Sequence, residues 1–215
     1  MVPTPEGFAA RMGSLALAAD DDIVVYDTVG IRSSARAWWM FRLFGAGRVR
    51  VLDGGLPKWL AEGRAVESGA PPEHVPVVFT AQTVPDLVAD MDDVRAALAG
   101  EAQVLDARAA ERFAGRAPEP RKGVRSGHMP GALNLPFPEV LNADGTMKRH
   151  DALEATFEGA GLDLGQPVIT TCGSGVTAAI LALGLQVLAR RARVYDGSWS
   201  EWGSRSDTPV TSDVS

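Results

Sequence analysis

The sequence has one cysteine, Cys172, among 215 residues, and three histidines, His74, His128 and His150. A single cysteine excludes an internal disulfide and a cysteine-rich zinc site, and the histidines lack metal-ligand spacing. No metal or other cofactor is expected. Positive charge is also short: 21 Lys and Arg face 27 Asp and Glu, a net charge of −6. That balance argues against nucleic acid or an anionic membrane as a partner. Long apolar runs are missing. The longest, around residues 178–189, is too short to span a bilayer and carries Gly184 and Gln186. The start, Met1-Val2-Pro3-Thr4-Pro5-Glu6, has neither the basic beginning nor the apolar centre of a signal peptide. The expected compartment is a reducing cytoplasm.

What is present is an alternation of strand-like and helix-like runs, which predicts an α/β fold with a mainly parallel sheet and helices on both faces. Strands are expected at 22–27, 48–52, 104–106, 168–171 and 193–195, with a short one between Pro130 and Pro136. Helices are expected at 33–44, 57–62, 152–161 and 178–188. Ser33 or Ser34 is the expected N-cap of the first of these, and Gly45 its stop. Residues 109–128 read as a long polar loop.

The pattern repeats. Val24-Val25-Tyr26-Asp27 aligns with Ile169-Thr170-Thr171-Cys172, and Leu52-Asp53-Gly54-Gly55 aligns with Tyr195-Asp196-Gly197. A tryptophan follows six residues after each turn aspartate, Trp59 and Trp202. Shared Asp-Gly and Trp spacing goes beyond what any two strand–helix–strand units have in common, and it predicts a duplication. The expected division is a partial first unit over 1–67, a linker over 68–82 and a complete second unit over 83–215.

The chemistry concentrates at Cys172-Gly173-Ser174-Gly175-Val176-Thr177, between a β-branched run and a helix-forming run. A thiol at a helix N-terminus meets backbone N–H groups and the positive end of the helix dipole, which favour the reactive thiolate. The glycines let several N–H groups turn toward one sulfur. A cysteine phosphatase would need an arginine at the end of this loop; position 178 is Ala, and no arginine occurs between Cys172 and Arg190. The P-loop pattern is absent as well.

The loop resembles that of the rhodanese superfamily, in its two-domain sulfurtransferase branch, closest to the 3-mercaptopyruvate sulfurtransferases. Leu105-Asp106-Ala107-Arg108, Glu111-Arg112-Phe113-Ala114-Gly115, Pro118-Glu119-Pro120-Arg121, Gly127-His128-Met129-Pro130-Gly131 and Tyr195-Asp196-Gly197-Ser198-Trp199 agree with it, as do Trp38-Trp39 and Leu52-Asp53-Gly54-Gly55. The resemblance implies a sulfurtransferase that carries sulfane sulfur as a Cys172 persulfide. It implies Ser174 as a proton-relay serine, Arg112 and Arg121 as carboxylate binders, and Gly173, Gly175, Val176 and Thr177 as the loop that holds the substrate. Neutral Gly173 and Ser174 favour 3-mercaptopyruvate over thiosulfate, whose users carry basic residues there. The expected acceptor is a thiol, such as a thioredoxin-like protein, or cyanide. Asp27 stands where the first unit would carry a cysteine, so that unit is expected to be non-catalytic. The front half of that unit, which supplies a relay aspartate and histidine in the family, has no counterpart in the sequence. A weakly active sulfur carrier or partner-binding fragment is therefore the alternative expectation. His128, Asp106 and the tryptophans are expected to be structural.

Overall fold

A computed structural model describes residues 1–70 and 73–214. Eight helices and seven strands are named here: α1 (Pro5–Ser14), β1 (Ile23–Val25), α2 (Ser33–Leu43), β2 (Val49–Val51), α3 (Gly55–Ala61), β3 (Val88–Ala89), α4 (Met91–Ala96), β4 (Gln103–Asp106), α5 (Ala110–Phe113), β5 (Leu133–Asn134), α6 (His150–Gly159), β6 (Val168–Thr171), α7 (Ala178–Val187), β7 (Ala192–Tyr195) and α8 (Ser198–Trp202). The strands form a two-stranded parallel sheet, β1-β2, and a five-stranded sheet in the order β3-β7-β6-β4-β5. Every pairing between named strands is parallel. The α/β architecture expected from the sequence is the one observed.

Strand β6 is central, and all four of its residues are buried. That explains its unbroken β-branched composition, because a strand covered on both faces has no solvent side to mark with polar residues. Neighbouring strands alternate between the two faces. Val104, Ile169 and Tyr195 pack with Met129, Trp199 and Trp202 on one face. Leu105, Val168 and Val194 join the larger core on the other, which continues through α7 into Ala35, Trp38 and Trp39 of α2. Helix α7 is therefore apolar nearly all round, with seven of its ten residues buried. Four phenylalanines close the far side, with Phe8 stacked on Phe44 at 4.5 Å and meeting Phe41 and Phe79 edge-on at 5.4 Å.

Local chemistry corrects two expectations and adds two helices. The cap of α2 is neither Ser33 nor Ser34: the Asp27 carboxylate accepts the N–H groups of Val29, Arg32 and Ser34 at 2.8–3.1 Å. Burial pushes this carboxyl up, but those backbone bonds outweigh it and hold it below its ordinary value. The polar stretch 109–128 contains α5. And α1 and α4 were not foreseen, although each has a cap signal: Thr4 with Pro5 at the first helical position, and a reciprocal Asp90–Asp93 capping box.

Residues 68–82, expected as a linker, include Pro71 and Pro72, which lie outside the described residues. Its later part runs along α1 and α2: Val77 N–H donates to Gly13 O at 3.1 Å and Gln82 N–H to Phe44 O at 3.1 Å. Among the described residues, no helix is long and apolar enough to cross a membrane.

Candidate active site

Parallel strands of β4 and β6 end level, with Asp106 paired to Thr171. The next residues, Ala107-Arg108 and Cys172-Gly173, therefore emerge side by side at the carboxyl ends of the strands, the usual place for a site in such a sheet. Cys172 is buried, with 2% of its surface exposed. Its Sγ receives the N–H of Gly175 at 3.1 Å and of Ser174 at 3.4 Å. Gly175 has φ +77°, and a Cβ there would stand 2.6 Å from Arg36 Nη1 and 2.9 Å from the Asp196 carbonyl oxygen. Only glycine fits, on both conformational and steric grounds.

Helix α8 grips the loop from behind. Trp199 N–H donates to Cys172 O at 2.9 Å, and Ser200 N–H to Gly173 O at 3.0 Å. The Ser200 hydroxyl donates to the same Gly173 oxygen. Ser198 Oγ accepts from Cys172 N–H at 3.2 Å and donates to Tyr195 O at 2.8 Å. Ser198 holds φ +52°, a left-handed conformation costly for a serine and concentrated at functional sites. Burial, and then its bond to Glu201 at 2.6 Å, pushes the Tyr195 hydroxyl well up, so it stays a donor.

Beside the loop lies a line of four charges. Arg108, 1% exposed at its side chain, bonds Asp106 at 2.7 Å and Glu119 at 2.8 Å. Its guanidinium also donates to Gly127 O at 2.9 Å and lies 4.3 Å over the Trp199 ring. Glu119 turns its other oxygen to Arg112 Nη2 at 2.5 Å. Arg112 thereby lies against Gly173: a Cβ at that glycine would be 3.0 Å from Nη2. Arg121 is exposed and donates from Nη1 to Ser200 Oγ at 2.5 Å.

The structure thus gathers Cys172, Gly173, Ser174, Gly175, Arg112 and Arg121 around one loop. Of Ser174 it is the amide, not the hydroxyl, that bonds the sulfur. Val176 and Thr177 continue the loop at its exposed and half-buried rim before α7 begins. His128 is buried and stacked on Phe113 at 3.9 Å with Nδ1 against Phe113 O, a structural placement. Sequence reasoning misses Ser200 and Arg36, and gives Glu119 and Ser198 no role although both stand in motifs that carry the resemblance. A cavity of about 420 Å³ opens at the opposite, amino end of β6 and β7, among Asp93, Glu101, Arg191 and Arg193, and no thiol, hydroxyl or imidazole lines it.

A model of the rhodanese-like domain matches residues 3–62 and 90–205. The 3-mercaptopyruvate sulfurtransferase of Escherichia coli (strain K12) is 44% identical over 212 residues, covering 98% of this chain and 75% of that protein. The mitochondrial thiosulfate/3-mercaptopyruvate sulfurtransferase 1 of Arabidopsis thaliana is 42% identical over 234 residues, and the chain spans 62% of its length. The crystal structure of SseA from Escherichia coli superposes with a TM-score of 0.83 at 41% identity, covering 94% of this chain and 75% of that one. The chain belongs to the rhodanese family. Within it, these relatives are sulfurtransferases named for 3-mercaptopyruvate.

Proposed function

We propose that this chain is a sulfurtransferase that moves sulfur from 3-mercaptopyruvate to a thiophilic acceptor through a persulfide on Cys172. The observation that carries this reading is the buried sulfur under the Gly175 and Ser174 amides, with the Arg112 guanidinium lying against Gly173.

In the first half-reaction the Cys172 thiolate attacks the donor sulfur. The new S–S bond forms as the donor C–S bond breaks, and that electron pair passes to the carbon as the enolate of pyruvate. The donor's thiol proton ends on that carbon, so Cys-S⁻ and mercaptopyruvate give Cys-S-S⁻ and pyruvate. In the second, an acceptor thiolate takes the outer sulfur and returns Cys-S⁻. Two moderate barriers replace one high one, and amides aimed at the sulfur are suited to hold the persulfide charge. By the family resemblance, Ser174 would carry the proton.

Donor choice follows from charge and space. The Nε and Nη2 edge of Arg112 is taken by Glu119, and Nη2 is also the atom nearest the loop, 3.0 Å from where a Gly173 Cβ would be; Nη1, 3.8 Å from that point, makes no hydrogen bond among the described residues. That suits one carboxylate, and guanidinium binds carboxylates well. A basic side chain at position 173 would press on Arg112. We therefore expect kcat/KM for 3-mercaptopyruvate to exceed that for thiosulfate, with cyanide or a small thiol as acceptor. A thiosulfate preference would overturn the donor assignment.

A further inference from the structure

The loop Gly173-Ser174-Gly175 has little stiffness of its own, since two of its three residues lack a Cβ. Its front is tied down by α8 through the Cys172 and Gly173 carbonyls. Its rear is tied from elsewhere. Arg36, in the first turns of α2, donates from Nη1 to the Gly175 carbonyl at 3.0 Å, a contact between residues 139 positions apart. Its Nη2 faces Asp196 Oδ1 at 2.5 Å as an ion pair, and the guanidinium lies 4.9 Å over the Trp39 ring. Both charged side chains are nearly buried, 11% and 12% exposed. The second Asp196 oxygen is held by the Val2 N–H at 2.7 Å.

We propose that Arg36 is a positioning residue for the sulfur loop, a role that rests on the persulfide chemistry above. Gly175 bonds the Cys172 sulfur through its N–H and Arg36 through its carbonyl. Fixing that carbonyl sets the plane of the Gly175–Val176 peptide and polarises the Val176 N–H, the next donor along the loop; a charged partner strengthens the neighbouring bonds of such a chain. The ion pair with Asp196 and the Trp39 ring hold the guanidinium from two further sides. Asp27 completes the arrangement. It aligns with Cys172 in the sequence repeat, and its carboxylate caps the N-terminus of α2 through Arg32 and Ser34. The non-catalytic loop of the first unit thus aims the helix that holds the catalytic loop of the second.

The test compares Arg36→Ala, Arg36→Lys and Asp196→Asn, with Arg50→Ala, an exposed arginine of β2, as control. Two readouts are taken on protein shown to be folded: hydrogen exchange of the peptide spanning 173–178, and kcat and KM with 3-mercaptopyruvate. Loss of a charge-assisted bond supports a roughly ten- to hundredfold effect. Arg36→Ala should speed exchange of that peptide about tenfold or more and lower kcat about tenfold or more, with KM within about twofold, while peptides of β4 and β6 exchange as in wild type. Asp196→Asn, which leaves the Gly175 bond in place, should do less, and Arg50→Ala nothing. Wild-type exchange and kcat in folded Arg36→Ala overturn the proposal. So does an equal loss in Asp196→Asn, which would make Arg36 mere glue between the units. Should Arg36→Ala fail to fold, Arg36→Lys decides: one ammonium cannot serve both Asp196 and Gly175, so exchange of that peptide should be faster and kcat lower than in wild type, and wild-type values overturn the proposal. A wild-type protein that never gains sulfur refutes the function instead, and the exchange measurement still judges Arg36.

Discussion

Glu119→Gln keeps the shape of the side chain and removes one charge from the line Asp106–Arg108–Glu119–Arg112, buried except at Arg112. Two negative and two positive groups balance in that line; the variant leaves one positive charge in excess beside the sulfur loop. Glu119 is 4% exposed and accepts from Arg108 at 2.8 Å and from Arg112 at 2.5 and 3.2 Å. Removing one partner of a buried ion pair costs about 3–5 kcal/mol. Arg108 keeps its bonds to Asp106 and Gly127 O and its place over Trp199, and the Gln oxygen still accepts one N–H, so the lower end, about 3 kcal/mol, applies. For a chain of this size 1 kcal/mol shifts Tm by roughly 2–4 °C, so Tm should fall by about 6–12 °C. Thermal unfolding followed by circular dichroism reads this directly, with urea unfolding as a check on the free energy. Glu111→Gln is the control. Its pair with Arg116 lies on the surface, the two side chains 63% and 45% exposed, and such pairs contribute little; Tm should not move. A Tm for Glu119→Gln equal to wild type would refute the reasoning, because it would mean that the four charges are not coupled in the folded protein.

Other consequences follow from the same contacts. Arg112→Ala should raise KM for 3-mercaptopyruvate nearer the hundredfold end of the roughly ten- to hundredfold range for a charge-assisted bond, and Arg121→Ala, on an exposed side chain, nearer the tenfold end; steady-state kinetics check both, and equal turnover and KM in either variant would remove that arginine from the site. Asp27 is held below its ordinary value of 3.8, with burial opposing and backbone bonds prevailing. Its contribution is therefore present above that unfolded value and is lost as pH falls through the lower folded one. Asp27→Asn should lose stability at neutral pH and show a shallower acid-induced decline below about pH 4, read by urea midpoints across pH; a parallel shift at every pH would contradict the assignment.

Much of the fold was legible because local pattern and tertiary role agree. Strand β6 fell where the β-branched run 168–171 placed it, and α7 where the apolar run after the loop began. The elements that escaped are those whose signal competes with another reading. Thr4-Pro5-Glu6 opens α1, but the ten residues of that helix show too few apolar positions for a clear helical period. In 109–128 the density of Arg, Gly and Pro hides α5, whose Ala110, Glu111 and Arg112 are good helix formers but whose four residues are too few to show a helical period. Ser33 and Ser34 fit the cap pattern because serine caps often, yet the helix starts at Ser33 itself, and the Asp27 carboxylate, six residues earlier, accepts the Arg32 and Ser34 N–H groups. The site divides in the same way. Cys172, the loop glycines, Arg112 and Arg121 stand in recognisable motifs. Arg36 and Ser200 act through partners far along the chain, and nothing in the local sequence separates them from solvent-facing residues; Glu119 stands in the same motif as Arg121, but its bonds to Arg108 and Arg112 exist only in the fold.

The central claim is that Cys172 carries the transferred sulfur. With a single cysteine, intact-mass spectrometry after exposure to 3-mercaptopyruvate tests it without ambiguity of site. The wild-type chain should gain one sulfur atom, lose it on reduction or on addition of cyanide, and Cys172→Ser should gain none. A wild-type mass unchanged by the donor, or sulfur transfer retained in Cys172→Ser, would contradict the account.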